Sequence, residues 1–128
     1  MLHDPLADAC SVIKNAEHAG KRTVVINPAS KVIGFCLRIL QANGYIGEYE
    51  FIDDGRTGKF KVQLLGRVNE IKKLRRQAIK VMKYEEIEKK YLPAINFGLI
   101  IVTTPKGIMT HTEAKKRNLG GRLLMYVY

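Results

Sequence analysis

The sequence has 128 residues, 46% of them apolar, and a formal net charge of +10. That is the size of one ordinary domain with enough apolar material for a packed core, which excludes wholesale disorder. No apolar run approaches the roughly eighteen residues that a membrane helix needs, and MLHDPLADAC has neither the basic start nor the apolar block of a signal peptide. Two isolated cysteines, Cys10 and Cys36, suit a reducing compartment better than a disulfide scaffold. The charge is uneven. Residues 1–66 hold eight Lys/Arg against seven Asp/Glu, while residues 67–128 hold fourteen against five. A near-neutral half joined to a strongly basic one points to a polyanionic partner for the second half.

Asp4-Pro5 is an N-cap followed by proline at the first helical position. Leu6, Ala9, Cys10 and Ile13 then recur at helical spacing until Gly20, with Lys14 and Asn15 off that stripe. Thr23–Ile26 is a short β-branched strand closed by Asn27-Pro28. Ser30 caps a second helix carrying Val32, Ile33, Cys36, Leu37, Ile39 and Leu40 and ending at Asn43-Gly44. Two strands follow, about 48–52 and 59–65, joined by the turn residues Asp53 to Gly58. In the second of them Phe60, Val62 and Leu64 alternate with Lys59, Lys61 and Gln63. The first lobe, residues 1–66, is therefore expected to run α-β-α-β-β.

The stretch 67–77 contains Lys72, Lys73, Arg75 and Arg76 with little apolar periodicity, and is expected to be a basic linker. A C-terminal lobe, residues 78–128, should then be mostly β with short helices: a strand over 78–82, a helix near 85–90, a break at Tyr91-Leu92-Pro93, and a buried strand over 99–102. Thr103-Thr104-Pro105-Lys106-Gly107 has the composition of a polar turn. Thr110-x-x-Glu113 has the spacing of a capping box, opening a short helix with Lys115-Lys116-Arg117 that stops at Gly120-Gly121. Residues 122–128 should form the last strand. The whole is an α+β chain of two small lobes.

The chemistry concentrates in that last stretch. A threonine hydroxyl both donates and accepts, so Thr103 and Thr104 can address a ribose 2′-OH, a phosphate or a base edge. Gly107 allows close backbone approach and Lys106 supplies charge. Lys115, Lys116, Arg117 and Arg122 are suited to neutralising phosphates. Catalytic readings find no support: His3, His18 and His111 are scattered, and the cysteines fall on helix stripes as core packing. Asp53-Asp54 suits a turn, Gly58-Lys59 lacks the upstream glycine of a phosphate loop, and nothing marks a nucleophile elbow. No enzyme, cofactor or metal site is expected.

The spacing Gly98-x-x-Ile101-Val102-Thr103-Thr104-x-x-Gly107-Ile108-Met109, followed by Ala114-Lys115, resembles the signature of the universal family numbered eight in the small ribosomal subunit. Further matches run in order along nearly the whole chain: Asp4-Pro5-Leu6-Ala7-Asp8, Asn15-Ala16-Glu17, Pro28-x-Ser30-Lys31-Val32-Ile33, Gly44-Tyr45-Ile46-Gly47-Glu48 and Ile52-Asp53-Asp54. They are similar to the eukaryotic and archaeal branch more than to the bacterial one. The resemblance implies a structural protein of the cytosolic small subunit that binds the central domain of small-subunit ribosomal RNA, aids assembly and touches neighbouring ribosomal proteins, with no membrane or small-molecule partner.

Carried over residue by residue, Thr103, Thr104 and Gly107 match the family's RNA-facing loop, Gly120-Gly121 matches its pattern, and Lys14, Asn15 and Lys31 stand where the family also touches RNA. Lys31 falls in the first turn of its helix, whose free amides suit a phosphate. Relatives often carry serine where this chain has Pro105, so a contact made by that hydroxyl would be replaced here by the charge of Lys106. The basic residues of 67–77 also depart from the family, which commonly has a Ser-Pro-Arg type sequence nearby. Two readings from other classes stand beside this one: a free-standing translational regulator that binds messenger RNA with the same surface, and an RNA-processing enzyme.

Overall fold

The first helix starts as its side-chain chemistry dictates. The Asp4 carboxylate accepts the N–H groups of Leu6 and Ala7 at 3.2 and 3.3 Å, and Pro5, with no N–H of its own, opens α1 (Pro5–His18). The computed structural model describes residues 4–27, 29–94 and 97–128; His3 and Pro28, both named above, lie outside them. The chain divides into two compact units, Met1–Ile71 and Lys72–Tyr128. No described helix is long and apolar enough to cross a membrane.

The first unit runs α1, β1 (Thr23–Ile26), α2 (Lys31–Ala42), β2 (Ile46–Ile52) and β3 (Lys59–Leu64), the predicted α-β-α-β-β order. Ser30 caps α2, its Oγ accepting the Ile33 N–H at 3.2 Å. The strands form an antiparallel sheet in the order β1-β3-β2, with Val62 opposite both Val24 and Tyr49. Period two sends Phe60, Val62 and Leu64 inward and leaves Lys61 and Gln63 in solvent. The helices bury Leu6, Cys10 and Ile13 of α1 and Ile33, Cys36, Leu37 and Leu40 of α2. Both cysteines, Cys10 and Cys36, are buried inside this core and not joined in a disulfide.

The second unit contains β4 (Ile71–Lys73, which begins at the boundary), β5 (Ala78–Ile79), a 3-10 turn (Val81–Lys83), α3 (Tyr84–Tyr91), β6 (Leu99–Thr104), β7 (Gly107–Thr110), α4 (His111–Lys116) and β8 (Gly121–Val127). Its sheet has the order β4-β8-β6-β7, with β5 paired to β8. Residues Leu99 to Val102 are buried without a break, as expected for a strand covered on both faces. Where β6 meets β8 the register slips: Ile101 lies opposite Met125, but Val102 lies opposite Leu123. The extra residue at this bulge lets Leu123, Leu124 and Met125 all be buried. Ile100, Val102, Met109 and Leu123 pack with Tyr84, Leu92 and Ala114 in one core cluster. The Tyr84 hydroxyl donates to the Leu119 carbonyl at 2.9 Å, which satisfies the phenol, and burial pushes its pKa up.

Several boundaries differ from the sequence reading. The strand expected over 78–82 is only Ala78–Ile79, because the chain turns into the 3-10 helix before Met82. Residues 67–77 carry β4 and three buried apolar side chains, Val68, Ile71 and Leu74, a spacing of three that matches neither the alternation of a strand nor a helix long enough to stand out among the basic residues. The Leu74 N–H donates to the Leu124 carbonyl at 2.8 Å. The buried strand does not stop at Val102 but continues through Thr104, so the five-residue polar turn shrinks to Pro105-Lys106. The last helix does not end at Gly120-Gly121. Asn118, at φ +56°, takes the left-handed position after the Arg117 cap.

Candidate nucleic-acid interface

A hairpin and the helix that follows it position most of the candidate side chains. β6 and β7 pair antiparallel with Val102 opposite Met109 and Thr104 opposite Gly107, leaving Pro105 and Lys106 at the tip. Proline fixes a negative φ there, and Gly107 returns the chain at φ +123°, a conformation that L side chains avoid. Pro105, Lys106 and Gly107 are all exposed.

The two threonines have different jobs. Thr104 is only 9% exposed, and its hydroxyl is engaged within the turn, donating to the Gly107 carbonyl at 2.7 Å and accepting the Lys106 N–H at 3.2 Å. It shapes the loop. Thr103 is half-buried and sits mid-sheet, opposite Ile108 on β7 and Arg122 on β8. Arg122, exposed, is thus brought beside the threonine loop from 19 residues downstream by strand pairing.

Gly120 and Gly121, both half-buried, are not the helix stop, which lies at Arg117-Asn118. A Cβ on Gly121 would fall on the Thr103 carbonyl, and one on Gly120 would come within 2.9 Å of the Ile79 carbonyl. Their hydrogen side chains let β8 approach β5 and β6, which holds the Thr103 strand in place.

Thr110 caps α4 as expected, its Oγ1 accepting the Glu113 N–H at 3.2 Å. The Glu113 carboxylate does not close the box; it accepts Arg117 Nε at 2.9 Å. Lys115 Nζ reaches across to Glu85 Oε1 of α3 at 2.8 Å. That pairing raises the Lys115 pKa and lowers that of Glu85, each through the other's hydrogen bond and charge. Both side chains are exposed, so the pair orients the ammonium more than it stabilises the fold. Among the described residues no ion pair involves Lys106, Lys116 or Arg122.

The second unit carries thirteen Lys/Arg against four Asp/Glu. Three of the four acids meet a cation, Glu85 with Lys115 at 2.8 Å, Glu86 with Lys83 at 3.4 Å and Glu113 with Arg117 at 2.9 Å, while Glu88 faces the imidazole of His111 at 3.6 Å. What is left over is positive, which favours an anionic polymer and gives binding that weakens with salt.

The remaining candidates lie in the first unit. Lys14 Nζ contacts Glu70 Oε1 at 2.8 Å, and this ammonium holds the Glu70 carboxyl below its usual range. Asn15 is exposed on α1, and Lys31 is exposed at the first position of α2.

Three features escaped the sequence. His111 is buried, which nothing in three scattered histidines signals. The Lys115–Glu85 pairing joins residues 30 apart on different helices. Asn118 was findable, since asparagine is the residue after glycine that most readily takes the left-handed position at a helix end. Among the described residues no group of three or more His, Cys, Asp or Glu is placed to hold a metal ion.

A braced hairpin tip, a capped cationic helix and a positive excess are the equipment of a protein that grips folded RNA by shape and phosphate. The family model for Ribosomal protein S8 matches residues 4–128, nearly the whole chain, and the chain therefore belongs to the ribosomal protein S8 family: structural, non-enzymatic proteins of the small ribosomal subunit that bind ribosomal RNA and ribosomal proteins in translation.

Proposed function

We propose that this chain works in the small subunit of a cytosolic ribosome of the eukaryotic and archaeal type. There it binds the central domain of small-subunit ribosomal RNA and holds RNA helices in register during assembly. Residues 78–128 form its RNA-binding lobe, with 67–77 as a basic connector and 1–66 as the first lobe. The observation that carries this reading is the β6–β7 hairpin: Thr104 locks the tip from inside, leaving Pro105, Lys106 and the Gly107 backbone exposed beside Thr103 and Arg122. In this reading Lys115, Lys116 and Arg117 neutralise phosphates and Gly120-Gly121 seat the strand behind the loop. Lys14, Asn15 and Lys31 add contacts from the first lobe. Pro105 stands in for the family's serine, and Lys106 supplies charge in place of that hydroxyl.

Directed cleavage tests the placement. Both native thiols are buried, and Thr112 is exposed in the first turn of α4. An iron chelate on Thr112→Cys, assembled into small subunits, should cut ribosomal RNA within the central domain. Cuts confined to other domains would overturn the assignment. The Pro105→Ser variant should gain affinity or selectivity for the same RNA; no gain would remove the argument about that position.

A further inference from the structure

In the first unit, a groove of about 440 Å³ opens beside the start of α2, lined by Ser30, Lys31, Gly34, Phe51, Thr57 and Phe60. Its central feature is an aromatic ring in the open. Phe51 is 57% exposed, whereas its strand neighbour Phe60 is only 8% exposed. Phe51 is nevertheless held. It meets Phe60 edge to face at 5.8 Å between centroids and 66° between planes. Behind it lies Gly58 at φ +86°, where any Cβ would fall on the Phe51 ring. The sequence thus places a glycine so that a phenyl ring can lie against backbone with its other side uncovered.

We infer that this groove takes an unpaired nucleobase of RNA on the open side of Phe51, with Lys31 meeting the phosphate of the same nucleotide. The inference rests on the RNA-binding function of the chain and adds base stacking on Phe51 to the backbone contact already given to Lys31. Aromatic rings accept any base by stacking, and a flanking cation follows the backbone. Lys31 is exposed on the rim, at the positive end of a twelve-residue helix. The Ser30 and Thr57 side chains bring hydroxyls to the same groove, suited to a ribose or a base edge.

Charge separates RNA from a protein ligand. The lining contains one cation and no carboxylate. Glu50, next to Phe51 in sequence, points to the other face of the sheet, where it lines a separate groove with Lys61 and Gln63. Asp53 and Asp54 are engaged in their own loop: Asp53 accepts the Gly55 N–H at 2.9 Å, and Asp54 accepts those of Arg56 and Gly58 at 3.0 and 3.1 Å. A basic protein segment would find nothing to pair with here, while a nucleotide finds a ring, a cation and hydroxyls.

The chain has no tryptophan, so Phe51→Trp places a single reporter in the groove. The full-length variant is titrated with an eight-nucleotide oligoadenylate and with an abasic ribose-phosphate oligomer of equal length and charge. Stacking quenches the tryptophan with the adenylate and not with the abasic chain. By anisotropy, Phe51→Leu, which keeps an apolar strand residue, weakens adenylate binding about tenfold. Lys31→Gln weakens both oligomers. Equal response to the two oligomers, no response to either, or wild-type affinity in Phe51→Leu would overturn the inference; the second is what a groove built for a protein side chain would give. Retained binding of a central-domain fragment by Phe51→Leu would show that the hairpin reading survives such a failure.

Discussion

The buried imidazole of His111 accepts the backbone N–H of Ile100 through Nδ1 at 3.2 Å, tying the first residue of α4 to the central strand β6. An Nδ1 that accepts carries no proton, so the ring is the neutral tautomer with its hydrogen on Nε2, turned toward Glu88 Oε2 at 3.6 Å. The cationic helix is therefore fixed to the sheet by a group whose function depends on staying uncharged.

Burial lowers the His111 pKa, outweighing the opposing pull of Glu88, and Lys115 lowers it further. The folded state thus binds the proton less readily than the unfolded chain, where histidine titrates near about 6.5. Stability from this site is complete above that value and declines as pH falls below it. The wild type should lose more thermal stability between about pH 7 and about pH 5 than His111→Gln does. Equal losses in the two proteins would show that His111 is not the group responsible.

Thr104→Val keeps the β-branched shape and removes both hydrogen bonds within the turn. With the Gly107 carbonyl and the Lys106 amide losing this partner at an exposed tip, where water replaces it only in part, the cost should be about 1 kcal/mol, seen as a lower urea midpoint at unchanged slope. Thr103→Ala, whose hydroxyl makes no such turn bonds, should cost much less stability while weakening RNA binding about threefold to tenfold. Similar urea midpoints for the two variants would contradict the division of labour between these neighbours.

Gly121→Ala places a methyl group on the Thr103 carbonyl. Strand β8 would have to move away from β6, at a cost of about 1–3 kcal/mol, with RNA affinity falling as Thr103 shifts. Asn118→Gly, by contrast, should leave stability unchanged or slightly raised, because glycine adopts the left-handed conformation freely. A calorimetric melt of each checks both signs.

These sites show how much was legible beforehand. The first unit was readable almost residue by residue because Asp4, Ser30 and the alternation in β3 are local signals, complete within a few neighbours. The second was less so, because its boundaries are set by partners distant in sequence. Thr103 and Thr104 have turn composition, yet pairing with β7 and β8 extends the strand through both. β4 is three residues, two of them lysine, and exists only because a sheet is there to receive it. Gly120-Gly121 has the composition of a helix stop, and only the facing carbonyls of Ile79 and Thr103 explain it. The candidate loop was visible through the family signature, while the buried histidine and the Glu85 contact that orient its helix were not.

Lys106 and Lys116 have no ion pair among the described residues, so each is free to release counterions on meeting a phosphate. Replacing either by alanine should lower the slope of log affinity against log salt by about one. Replacing Lys83, which pairs with Glu86, should leave the slope unchanged. A uniform change across all three would mean that net charge alone governs binding.

Binding of the intact protein to a central-domain fragment of small-subunit ribosomal RNA, beside an unrelated duplex of equal length and across a salt series, tests the central claim most directly. Selective binding to the fragment that weakens with salt, and that loses its selectivity in Thr103→Ala, is the result predicted. Equal affinity for both RNAs, or undiminished selectivity in the variant, would contradict the assignment of the β6–β7 hairpin as the recognition site.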